Sequence, residues 1–196
     1  MKSALAVPVM ILLAATAALA ETPAAPTLGI HALAGGRYDD MRMCVGSPRG
    51  VPGGPIGEVY LDLAVPVGDR GALVVNVPLM RPLLFGAAFG MLQFEPQLTY
   101  EIRLGDGSGS GGARPVLGAG AGAVFHYGPD VDSTPENRGE DFFAAGPLVS
   151  GSFGLEFDRR GGTWRPGVKL FYAPLFASGR SMGTVAGGAL EIHYGF

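Results

Sequence analysis

The 196-residue sequence holds 33 Gly and 16 Pro without a Gly-X-Y period, which excludes collagen. Hydrophobic residues make up 47% and charged residues only 16%, the reverse of a disordered chain, so a folded domain must accommodate the glycine. The net charge of −3 without basic patches argues against a nucleic-acid binder, and Cys44, the single cysteine, excludes an internal disulfide or a cysteine-built metal cluster.

In chain order, the first element is a targeting segment. Met1-Lys2 is basic, residues 4–18 are apolar, and Ala18-Leu19-Ala20 is a small-x-small cleavage site. Residues 1–20 are therefore read as a secretory signal peptide, and residues 21–196 as one domain. An uncleaved helical anchor is the alternative.

After residue 20 no apolar run has the roughly 20 residues of a membrane-spanning helix. Period-two alternation, the strand signal, is common instead. Residues 27–38 carry it weakly. Val59, Leu61, Leu63 and Val65 alternate with Glu58, Tyr60, Asp62 and Ala64. Residues 72–79 follow. Leu92, Phe94, Leu98, Tyr100 and Ile102 alternate with Gln93, Glu95, Gln97, Thr99, Glu101 and Arg103. Residues 115–127 carry Gly118, Gly120 and Gly122 on one face. Phe153, Leu155 and Phe157 alternate with Ser152, Gly154, Glu156 and Asp158. Trp164, Val168, Leu170 and Tyr172 alternate with Arg165, Gly167, Lys169 and Phe171. In the last segment Leu190, Ile192, Tyr194 and Phe196 alternate with Glu191, His193 and Gly195. The sum is eight strands of about 8 to 13 residues, long enough to cross a bilayer at a tilt.

The connections alternate in length. Residues 68–71, 105–114 and 159–162 are tight or Gly/Ser-rich; 39–57, 80–90, 128–141 and 173–183 are mostly longer. An up-and-down meander puts the short turns at one end and the long loops at the other. Proline argues against closure, because it cannot donate to a ladder and a barrel has no edge to hide it. Pro66 and Pro78 suit strand ends. Pro96 and Pro147 predict bulges or breaks.

The signal peptide, the alternating segments and the ending on Leu190, Ile192, Tyr194 and Phe196 resemble a small bacterial outer-membrane β-barrel of the OmpA/OmpX or OmpW type. The resemblance implies an all-β fold: an eight-stranded antiparallel up-and-down transmembrane barrel in the cell outer membrane, termini in the periplasm. It implies that the row Leu190, Ile192, Tyr194 and Phe196 is read by the barrel-assembly machinery. Outer-membrane lipids and lipopolysaccharide are the implied partners, with a small hydrophobic ligand as a further one. Trp164, Phe157 and Phe196 are expected in one interfacial girdle, and Tyr127, Phe143 and Tyr172 in the other.

If the alternation holds, the lumen contains Glu58, Asp62, Glu95, Glu101, Glu156, Glu191 and His193 against Arg103, Arg165 and Lys169. Buried charges pair, so a polar network plugging the barrel is favoured over an ion path. His31 and His193 lie near the same ends of the first and last strands, which must pair to close the ring. With Glu191 they suggest a weak metal site, but two satisfied lumen histidines are favoured, and no metal or other cofactor is assigned. His126 lies near the opposite end. No serine adjoins a histidine in sequence, so no catalytic residue is assigned. The acidic residues between 128 and 141 lack the glycine of a calcium loop at Pro135. The apolar run 82–92 is read as an extension of the barrel wall, with an inward plug or a hydrophobic entry as alternatives. The expected function is structural or surface interaction. The alternatives are a narrow channel for small hydrophobic molecules, a soluble exported lipocalin-like or β-sandwich binding protein, and a lipid A-modifying enzyme.

Overall fold

The computed structural model describes residues 25–39, 53–105, 112–129, 141–159, 161–177 and 183–196. The signal peptide, Cys44 and the acidic stretch 130–140 lie outside these residues.

The strands are β1 Thr27–Asp39, β2 Gly54–Val67, β3 Gly71–Pro78, β4 Leu92–Phe94, β5 Gln97–Arg103, β6 Arg114–Pro129, β7 Asp141–Arg159, β8 Gly162–Ala177 and β9 Gly183–Gly195. All pair antiparallel. β9 returns to pair with β1, placing His193 opposite His31. β4 and β5 both pair with β6, so they are two halves of one stave. The result is a closed antiparallel ring of eight staves. Closure removes the edge strands that an open sheet would expose.

The ring tolerates its prolines in two ways. Pro96 falls in the gap between β4 and β5, where a break was expected. At the β7–β8 seam the ladder stops after Ala145↔Phe176 and resumes at Val149↔Tyr172 in unchanged register. That register puts Pro147 opposite Pro174, so neither residue can donate across the seam. A second gap separates Gly154↔Gly167 from Phe157↔Trp164 and contains Pro166. Proline removes donors and leaves only acceptors unpaired, the more tolerable loss.

One expectation is corrected. Residues 82–92 do not extend the wall; Met80–Phe89 form a ten-residue helix, α1, between β3 and β4. Leu, Met and Ala are strong helix formers, and Pro82 sits in the first turn, where its missing N–H costs nothing. Gly90 ends the helix in the left-handed region (φ 63°), a conformation that favours glycine. The helix sits at the end where the longer connections join, because β3 runs there from the Gly68–Arg70 turn.

Side chains alternate between two environments. Leu28, Ile30, Leu61, Val149, Leu170 and Leu190 are exposed on the outer wall. Their neighbours point into a narrow lumen, part of which is an apolar cluster including Leu33, Tyr60, Val124, Leu148, Phe171 and Leu175. Glycine makes room in that lumen. A Cβ on Gly122 would overlap the Pro96 carbonyl oxygen, whereas one on Gly36 would meet nothing within 4 Å. Gly122→Ala is expected to cost about 1–3 kcal/mol. Gly36→Ala should stay within about 0.5 kcal/mol. The urea midpoints of the detergent-folded barrels measure both.

Candidate functional site

A small ring gives its inward charges no water to share, so each needs a partner within reach. Among the described residues the lumen answers with two polar clusters, one toward each end.

Toward the long-connection end, Arg37 of β1 is the hub. Its Nε donates to Asp39 Oδ2 at 3.0 Å, and a terminal nitrogen donates to Glu95 Oε1 at 2.6 Å. The other terminal nitrogen lies 3.0 Å from His126 Nε2 and donates to it. Glu95 sits in the Pro96 break, where the interrupted strand turns it toward both arginines. Its second oxygen lies 3.4 Å from Arg81, whose guanidinium also donates to Gln93. Arg81 belongs to α1, and the backbone fastens that helix to the wall. Glu58 Oε1 of β2 accepts from the N–H of Met80 at 2.8 Å and of Arg81 at 3.1 Å. A carboxylate at a helix N-terminus satisfies orphan donors and opposes the positive end of the helix dipole. The helix supplies no capping side chain of its own.

Toward the short-turn end, Asp62 of β2 is central. Its Oδ2 lies 2.7 Å from His31 Nδ1 and 3.5 Å from His193 Nδ1. Its Oδ1 accepts from Asn76 Nδ2 at 2.8 Å, and Asn76 Oδ1 accepts from Thr99 Oγ1 at 2.6 Å. The His31 ring is sandwiched between Tyr60 and His193, each 4.3 Å away centroid to centroid. These three stack because the ladder sets them side by side: His31 faces Tyr60 in β2 and His193 in β9. Arg165 holds Glu101 in a two-pronged pair and donates to His193 Nδ1 at 3.0 Å. Glu191 Oε1 lies 3.3 Å from His193 Nε2. Nearer the rim, Glu156 takes Arg103 and Arg114, each at 2.9 Å. An open cleft enters from this end, lined by Asp62, Glu101, Arg103, Glu156, Arg165 and His193 among others.

The structure thus gathers Asp62, Glu101, Arg103, Glu156, Arg165, Glu191 and His193 in the short-turn half. Lys169 also points inward, its ammonium 5.5 Å from the Tyr60 ring. Glu95 stands apart, in the Arg37 cluster. Leu190, Ile192 and Phe196 face outward, and Tyr194 packs on Trp164 and Phe196 with its hydroxyl donating to the Gly161 carbonyl. Sequence reasoning missed Arg37, Asp39, Arg81 and Asn76. The period-two rule, carried along from His31, would have put Arg37 and Asp39 inside. Arg81 carried no such signal, because its position depends on the helix.

Arg37 is 5% exposed and neutralises two buried carboxylates. Arg37→Met takes from Glu95 and Asp39 the cation they share, and the expected loss is about 3–5 kcal/mol. Arg37→Met with Glu95→Gln should recover part of it in a double-mutant cycle read by urea unfolding.

No family model matches the chain, and no curated protein sequence matches it. Among solved structures it is similar to Neisserial surface protein A, with a TM-score of 0.55 and 10% identity over 90% of this chain and 100% of that one. That likeness shows the fold: the chain is an eight-stranded antiparallel barrel of the kind found in outer-membrane proteins.

Proposed function

We propose that the chain is an outer-membrane barrel with a structural or surface-interaction role and a lumen plugged by its own side chains. The inverted distribution of polarity carries this reading. Leu170 and Leu190 are 67% and 70% exposed on the outer wall, while Arg37, Glu95 and Lys169 are buried inside. A lipocalin-like barrel keeps its apolar side chains within and shows water a polar wall. Here the outer wall suits hydrocarbon, and the polar groups suit the interior. Two aromatic sets support it: Trp164 and Phe196 near the short-turn end, and Tyr38, Tyr127 and Phe143 near the other. The partners are then outer-membrane lipids and lipopolysaccharide, with the short turns toward the periplasm.

The paired charges and the apolar cluster within the ring favour an OmpA/OmpX-like plug over an OmpW-like conduit. The bonded nitrogens of the three histidines face Asp62, Arg165, Arg37 and Glu95 and no serine, which supports a non-catalytic role.

Membrane fractionation tests the location. Recovery in the outer-membrane fraction with heat-modifiable gel mobility is expected; a soluble pool that needs no detergent would sink the proposal. In planar bilayers the purified barrel should show no unitary conductance. The outward row Leu190, Ile192, Tyr194 and Phe196 is where recognition by the assembly machinery is placed. Phe196→Ala should lower the folded fraction in cells while leaving detergent refolding of the purified chain intact.

A further inference from the structure

The His31, Asp62 and His193 triad has unmet chemistry. These side chains offer two imidazole nitrogens and one carboxylate oxygen, all within 4.8 Å of one another. They come from three adjacent staves, β2, β1 and β9, so the ladder holds their Cα atoms at fixed spacing. In a tetrahedral site with bonds near 2.1 Å, ligand atoms sit roughly 3.4 Å apart. The separations here, 2.7 Å from His31 Nδ1 and 3.5 Å from His193 Nδ1 to Asp62 Oδ2, bracket that value.

Two further observations bear on the triad. His31 Nε2 is buried and has no hydrogen-bond partner, while His193 Nε2 has Glu191 Oε1 beside it at 3.3 Å. Leaving a buried polar atom unmade is costly, so His31 is not held here by its hydrogen bonding alone. The surroundings also have the form of an outer shell. Asn76 fixes Asp62 through Oδ1 and leaves Oδ2 toward the histidines, and Thr99 fixes Asn76 in turn. Glu191 lies on the Nε2 side of His193, where a carboxylate favours a proton on Nε2 and leaves the Nδ1 lone pair outward. Arg165 already uses that lone pair.

We propose that His31, Asp62 and His193 form a binding site for a borderline divalent transition ion of the Zn2+ class, reached through the short-turn cleft. Two imidazoles and a carboxylate suit such an ion, and the hard cations Mg2+ and Ca2+ prefer all-oxygen sites. The local charge agrees. Asp62, Glu191 and Glu101 outnumber Arg165 and Lys169, while Arg103 and Glu156 at the rim pair with each other. The cleft reaches Asp62 and His193 directly. Arg165 is the competitor for His193 Nδ1, and it gives way by withdrawing onto Glu101, which already holds it by two nitrogens.

The test uses tag-free, EDTA-stripped full-length barrel folded in detergent, with heat-modifiable mobility confirming the fold of every variant. Zn2+ is titrated calorimetrically, and Co2+ and Cu2+ report the ligands by visible absorption and electron paramagnetic resonance. One ion per barrel is expected, with Cu2+ showing coupling to two imidazole nitrogens. His31→Gln, His193→Gln and Asp62→Asn should each weaken Zn2+ by at least about tenfold, and Asn76→Ala by about 10–100-fold. His126→Gln, in the other cluster, should leave the affinity unchanged. Arg165→Gln should tighten it, since a competing cation is gone. The proposal is overturned if the folded wild type binds no ion, or if folded His31→Gln and His193→Gln bind Zn2+ as the wild type does. Unchanged or weaker binding by folded Arg165→Gln overturns the assignment to His193 Nδ1.

Discussion

Everything in this molecule follows from the hydrogen-bonded closure of β9 onto β1. Closing a sheet of eight staves gives every strand two neighbours and removes both edges. It also fixes a small circumference, and that has two costs. Side chains on the concave face crowd, so β6 uses Gly118, Gly120 and Gly122 where Ser150, Ser152 and the Pro96 carbonyl come close. Charges on that face lose water and must find one another. The Arg37 hub and the Asp62 hub are two solutions to the same confinement.

The two hubs differ in character. Around Arg37 the cations and carboxylates interlock, and α1 is drawn into the arrangement by Arg81 and by the Glu58 carboxylate at its N-terminus. That cluster ties the β3–β4 connection to the wall. Around Asp62 the bonding is looser. Each hub leaves one imidazole nitrogen without a partner, His126 Nδ1 in the first and His31 Nε2 in the second, but here an open cleft leads in. One end of the lumen is thus bolted by its own side chains, while the other opens to a cleft.

Much of the wall was legible in the sequence, because period-two alternation is a direct consequence of strand geometry. Residues 164–172 and 190–196 read cleanly since most of their outward positions are large and apolar while their inward ones, Phe171 apart, are small, polar or charged. β1 read weakly because Ala32, Ala34, Gly35 and Gly36 blur both faces, which hid Arg37 and Asp39. The α1 segment was misread because short apolar runs do not distinguish strand from helix, and the decisive marks were Pro82 at one end and Gly90 at the other. The His31–His193 contact needed more than alternation. Closure suggested that the first and last strands meet, but only the register sets these two rings face to face beside Asp62.

The prolines of the β7–β8 seam bear on how such a ring comes apart. Staves joined by an unbroken ladder resist shear in proportion to their rungs. At Pro147 and Pro174, and again at Pro166, this joint has none to offer. The three residues sit on one line of the cask instead of weakening several. Hoop strength is therefore uneven along this joint, which is interrupted twice where the β6–β7 and β8–β9 ladders on either side run unbroken.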